Sequence, residues 1–194
     1  MNNIGICGAH RTGKTTLAQQ CAKVSGIPFL ATAVSQVFQD MGLNPAQPLP
    51  FATRLTVQNH ILDRAVSLWA NFPDRFITDR TPIDMMAYTL ADIQGTTEVQ
   101  AHGLQAYLDR CFQATNQYFR QLVIVPPAIP LVFAAGKAAL NPAYIQHIHF
   151  LVVGLSYSQH ISPDIKVVPL PEQIISLPDR VEFVRQNLDL NLAV

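Results

Sequence analysis

The sequence predicts an α/β fold, a parallel sheet of about five strands flanked by helices. Three observations carry that expectation. Short apolar runs alternate with longer segments whose apolar residues recur at helical spacing. The first apolar run leads directly into a glycine loop that opens a helix. The third, RFITD at 75–79, ends in a carboxylate where a strand should emerge at its carboxyl end.

Taken in order, IGIC (4–7) is the first strand, and GKTTLAQQCAKV continues from the loop as a helix. PFLA (28–31) reads as a second strand, followed by a helix through VSQVFQDM. The proline-broken NPAQPLP (44–50) is a loop, since each proline removes a donor and fixes φ. FATRLTVQNHILDRAVSLWANF has helical spacing again. After the third strand, TPIDMMAYTLADI begins a helix, with Thr81 as its cap and Pro82 in its first position. Residues 98–120 read as a further helix and QLVIV (121–125) as the fourth strand. NPAYIQHIHFLVVGLSYSQ contains a helix, IKVVPL (165–170) is the fifth strand, and SLPDRVEFVRQNL closes the chain as a helix with Ser176 near its start. No repeat or linker divides the sequence, so 1–194 is expected to form one domain.

Composition narrows the classes. Hydrophobic residues make up 49% and charged residues 13%, so much of the chain must be buried. Thirteen basic residues balance thirteen acidic ones, which gives no general attraction to nucleic acid. Cys7, Cys21 and Cys111 lack a CxxC spacing and read as buried thiols in a reducing compartment. The longest apolar run, QLVIVPPAIPLVFAAG, is broken by three prolines, so a strand and loop are expected there and no membrane span. The glycine loop begins at residue 8, which leaves no room for a signal peptide, and a cytoplasmic enzyme is expected.

GAHRTGKT (8–15) satisfies the spacing G-x-x-x-x-G-K-[ST] at every position. Chance alone would produce it in about one per cent of chains of this length. Glycines let the backbone wrap closely around an anion with successive N–H groups turned inward, and the helix N-terminus adds partial positive charge. The ligand is therefore expected to be a nucleoside triphosphate, ATP with Mg²⁺, held by Gly8, Ala9, His10, Arg11, Thr12, Gly13, Lys14, Thr15 and Thr16. Lys14, at the exposed start of the helix, would reach the β- and γ-phosphates, Thr15 would ligate magnesium, and Thr16 would touch the α-phosphate. His10 and Arg11 contact phosphate or substrate, or are simply solvated at the loop tip.

The second informative stretch is FITDRTPIDMMAY (76–88). A carboxylate at Asp79 can hold magnesium through water, or accept the proton of an attacking hydroxyl. Arg80 can neutralise phosphate charge, and Asp84 lies one helical turn beyond it, where the two would pair. The catalytic set read from the sequence is Lys14, Asp79 and Arg80, with Thr15 and Asp79 at the metal.

GAHRTGKTTLA followed by TDRTPIDMMAY resembles the P-loop kinases of the nucleoside and nucleotide kinase group. Asp79-Arg80 and Ala87-Tyr88 match the Asp-Arg and Ala-Tyr pairs of thymidylate kinases. The later order of elements, LVIVPP, a lid-like segment at about 134–146 and VVPLP, is similar to ribosylnicotinamide kinases. The resemblance implies a P-loop kinase fold and transfer of the γ-phosphate to a hydroxyl of a nucleoside-type acceptor. Lids of such kinases carry arginines; this one offers only Lys137, with Arg110 or Arg120 as substitutes. FATRLTVQNHILDR is placed like the substrate-binding helix of nucleoside kinases. Phe51 would stack on a base, Arg54 would bind a phosphate and Gln58, on the same face, would read a base edge, with Asp84 completing the substrate set. Neither a GTPase base-selectivity string nor an oligomeric-ATPase signature is apparent.

The loop and the DRTPID motif together look similar to small kinases encoded by bacteriophages, some of which phosphorylate 5-hydroxymethyluracil in DNA as a step of base modification. The resemblance thus implies modified DNA as acceptor, in the host cytoplasm. A free deoxynucleoside or its monophosphate is the rival acceptor. A nucleotide-responsive binding protein with slow ATP hydrolysis is the rival class.

Overall fold

Along β1 (Asn3–Cys7) every residue is buried, which only a strand covered on both faces requires. Ile4 and Ile6 join a cluster with Leu17, Ala18 and Cys21 of α1 (Lys14–Ser25) and with Val181 and Val184 of α7 (Leu177–Asn187). Cys7 turns to the opposite face and a larger cluster there. β3 (Phe119–Ile124) alternates likewise: Val123 points to the first face, Leu122 and Ile124 to the second. The period of two thus sorts the core into two layers, one on each side of the sheet.

The computed structural model describes residues 2–32, 34–44, 47, 49–131 and 141–188. Among them the sheet has four parallel strands in the order β2-β1-β3-β4, with β2 at Ile77–Thr78 and β4 at Lys166–Pro169. The expected strand at 28–31 is not a full strand. Phe29 makes one parallel bridge to Ile77, where Leu30 N–H donates to the Ile77 carbonyl and Ile77 N–H to that of Pro28. The neighbouring β2 is two residues long and Pro28 has no donor, so the ladder stops at this edge.

The second face is covered by α3 (Phe51–Ala70), α4 (Pro82–Ala91), α5 (Ala101–Tyr118) and α6 (Pro142–Ser156), with α2 (Val34–Asp40) against α3. Trp69 anchors this layer against the rings of Phe76, Tyr118 and Phe119 and is fully buried. Cys7, Cys21 and Cys111 are free and buried, as their spacing implied. Ser176 caps α7 by accepting from Asp179 N–H at 3.3 Å, and Asn141 caps α6. Among the described residues no helix is long and apolar enough to cross a membrane. Lys137 and most of the expected lid segment, 134–140, lie outside the described residues; 141–146 form the cap and first turn of α6.

Two glycines are demanded by close approach. A methyl group on Gly5 would lie 2.5 Å from the Thr81 side chain, so β1 and the start of α4 can meet only without it. On Gly8, at φ +147°, it would lie 2.5 Å from the Val125 carbonyl at the end of β3. Both contacts bring the glycine loop to the carboxyl ends of β1, β2 and β3.

Candidate active site

The loop begins where β1 ends and turns through Arg11 at φ +60° and Gly13 at φ +83° into α1. Gly13 occupies the cap position without a side-chain hydrogen bond, and the first turn of α1 has no acidic residue. The helix therefore presents its partial positive charge to an anion without a competing carboxylate of its own. Inside the loop the Thr12 hydroxyl donates to the Ala9 carbonyl at 2.9 Å and Lys14 Nζ donates to the same carbonyl at 2.6 Å. Lys14 is buried, not exposed as the sequence implied. Burial pushes its ammonium down to about 8, with the Asp84 carboxylate the chief opposing influence.

Asp84 holds the loop from below. Its Oδ1 accepts Gly8 N–H at 2.8 Å, and its Oδ2 accepts both the N–H and the hydroxyl of Thr81 at 2.8 Å. The Thr81 hydroxyl in turn caps α4. The capping box of one helix thus also ties down the first residue of the phosphate loop. Asp84 was expected to bind substrate and pair with Arg80. It is instead fully buried, absent from the pocket described below, and forms no ion pair with Arg80. Helical spacing could show that the two share a turn, but not that Thr81 and Gly8 would claim the carboxylate first.

Thr15 and Asp79, the residues expected at the metal, lie together: the Thr15 hydroxyl donates to Asp79 Oδ2 across the gap between α1 and β2. Two hard oxygen donors side by side suit Mg²⁺, which keeps several waters and takes few protein ligands. Arg80 lies with its guanidinium carbon 5.5 Å from the centre of the Tyr88 ring. The Tyr88 hydroxyl accepts His10 N–H at 2.7 Å and sits 3.1 Å from His10 Nδ1. Burial raises the Tyr88 phenol to about 12, so it remains protonated.

Next to these groups is a cavity of about 330 Å³ lined by His10 of the loop, Arg80, Met85, Tyr88 and Asp92 around α4, Arg54, Gln58 and Ile61 of α3, and Tyr144 of α6. Arg54 and Gln58 are therefore brought together, as their spacing required. Phe51 is not: it is buried in the core and does not line this pocket. Arg54 pairs with Asp92 at 2.9 Å, and desolvation raises the Asp92 pKa against the pull of that guanidinium. Asp92, Tyr88 and Tyr144 were missed as lining residues. Tyr88 alone had a sequence signal, as part of the Ala87-Tyr88 pair that resembles thymidylate kinases. A larger groove of about 910 Å³ between α2 and α3 contains no loop residue and no part of the Thr15–Asp79 pair. Arg110 pairs with Asp63, and Arg120 donates to the carbonyls of Asn116 and Phe119, so neither reaches the loop as a substitute lid cation.

A strand-loop-helix around a buried lysine, a Thr–Asp pair at the strand ends and a cavity sharing the loop's wall define a P-loop α/β fold. The chain belongs to the family described as AAA domain, whose profile matches residues 3–135. A search of curated protein sequences finds no significant match. Among solved structures, a deoxyadenosine kinase from M. mycoides superposes with a TM-score of 0.65 at 15% identity, over 96% of this chain and 98% of that one. Thymidylate kinase from Candida albicans gives 0.66 at 14% identity, over 98% and 93%. NadR, solved with NAD and AMP-PNP, gives 0.66 at 14% identity over all of this chain and 51% of its own. At such identities these likenesses establish the fold, and none of them concerns a kinase of modified DNA.

Proposed function

We propose that the protein is an ATP-dependent phosphotransferase in which residues 1–194 act as one catalytic domain on a nucleoside-type hydroxyl. The observation that carries this reading is the shared wall. His10 of the phosphate loop and Arg80, next to Asp79, both line the 330 Å³ cavity, so an acceptor there abuts the end of a triphosphate in the loop. That volume falls in the range of about 300–1,000 Å³ typical of small-molecule sites.

The loop from Gly8 to Thr16 holds the phosphates through Lys14 and backbone N–H groups other than those of Gly8 and His10, which bind Asp84 and Tyr88. Thr15 and Asp79 would hold magnesium, which supplies charge neutralisation at the β- and γ-oxygens. The acceptor hydroxyl oxygen forms a bond to the γ-phosphorus as the bond to the β–γ bridging oxygen breaks. ADP leaves, and the hydroxyl proton passes to a carboxylate, a role we assign to Asp79 at the strand end. Arg80, steered by Tyr88, offsets charge on the transferring group. Arg54 and Gln58 orient the acceptor.

The finer assignment is the hydroxymethyl group of 5-hydroxymethyluracil in DNA, with a phage-encoded enzyme in the host cytoplasm. Its support is the sequence resemblance alone. The cavity accommodates one nucleoside, so a duplex target would have to give up its base to the pocket. A free deoxynucleoside or monophosphate fits the same cavity. The AAA-domain family favours one second reading, slow ATP hydrolysis by a nucleotide-responsive protein. Transfer of γ-labelled phosphate from ATP, screened over nucleosides, monophosphates and DNA with or without 5-hydroxymethyluracil, separates all three. Label in modified DNA only supports the finer assignment. Label in free nucleosides or monophosphates only replaces it. Labelled inorganic phosphate with no labelled acceptor would sink the kinase reading.

A further inference from the structure

Arg180 is 3% exposed, in the first turn of α7, and the roles above do not use it. Its Nη1 donates to the Thr12 carbonyl at 3.0 Å and its Nε to the Ile174 carbonyl at 2.8 Å. Nη2 is buried with no hydrogen-bond partner. None of the four ion pairs among the described residues includes it, and burial is what lowers its pKa. A guanidinium keeps its charge even so. Two neutral carbonyls do not offset a full buried charge, and an uncompensated one is costly.

Its position says where compensation belongs. A methyl group on Gly13 would lie 3.7 Å from Nη1, so the guanidinium stands directly behind the Thr12–Gly13 peptide of the phosphate loop. In a trans peptide the C=O and the N–H point in opposite directions. With the Thr12 carbonyl held on Arg180, the Gly13 N–H is turned away from it.

We propose that Arg180 is a positioning residue of the phosphate loop, aiming the Gly13 N–H at the bound polyphosphate and taking that polyphosphate as the counter-charge it otherwise lacks. The inference rests on the triphosphate reading of the loop. It adds a contribution from α7, 165 residues after the loop's Thr15 in sequence order, to a loop already tied to Asp79, Asp84 and Tyr88. The effect should fall on the phosphates seated in the loop, β and γ, and spare the α-phosphate beyond it.

The test is calorimetric binding of AMP, ADP and ATP, with magnesium, to the full chain and to Arg180→Gln and Arg180→Lys, alongside melting temperatures. Wild-type protein that binds no ATP would overturn the loop reading itself, and the inference with it. Given wild-type binding, Arg180→Gln should weaken ADP and ATP by about tenfold more than AMP. Arg180→Lys keeps the charge without the fork and should retain the wild-type ATP-to-AMP preference within about threefold. A purely structural arginine would lower the melting temperature and weaken all three nucleotides equally. That result, in Arg180→Gln or in Arg180→Lys should the former not fold, overturns the proposal.

Discussion

Lys14 and Asp79 carry opposite charges at the same loop, and their replacement should fail in different ways. Lys14→Ala removes an ammonium whose charged form burial already disfavours, so the melting temperature should not fall. ATP binding, followed by calorimetry, should be lost, because that charge acts on the triphosphate and not on packing. Asp79→Asn keeps the shape of the side chain that accepts from Thr15 but removes its charge. Turnover should drop at least about a hundredfold with an altered magnesium dependence. A drop of tenfold or less with the magnesium curve unmoved would leave Asp79 as a strand end only. The types of these two residues were legible because each sits in a motif of fixed spacing. Phe51 shows the limit: helical period places it within a turn of Arg54, yet which of the two faces the pocket depends on what packs behind α3.

At the scale of elements, α4 and the phosphate loop stand or fall together through one carboxylate. Asp84→Ala would orphan Gly8 N–H and Thr81 N–H and break the capping box. The expected cost is about 3 kcal/mol, combining a lost cap with charge-assisted hydrogen bonds, read from urea unfolding. A loss under about 1 kcal/mol would mean that water replaces the carboxylate. Thr81 and Pro82 announced the start of α4 in the sequence, since their preferences are local. The bridge at Phe29 was over-read as a strand because edge pairing depends on the length of β2, which PFLA does not encode.

At the scale of the whole molecule, α6 brings a titratable group into the second layer. His149 is 9% exposed, with Nδ1 lacking a partner; desolvation lowers its pKa below 6.5, and Glu172 opposes the shift. The unfolded chain then binds a proton more readily than the folded one. Stability dependent on neutral His149 is intact above about pH 6.5 and is lost as pH falls through the lowered folded value. His149→Leu should flatten the melting-temperature slope on the acid side of pH 6.5 while leaving the neutral plateau equal or higher. An unchanged acid slope would place the titration elsewhere.

The sequence by itself determined the α/β class, the phosphate loop, Asp79 at a strand end and the caps at Thr81 and Ser176. All of these rest on residues close together in the chain or on strand ends that a parallel sheet must bring to one edge. The tertiary structure alone decided that Asp84 anchors Gly8, that Arg54 meets Asp92, that Tyr88 bridges His10 and Arg80, and that Arg180 stands behind Gly13. Each joins groups whose separation in sequence has no period, and hydrogen-bond demand in a closed interior chooses among partners that spacing leaves equivalent.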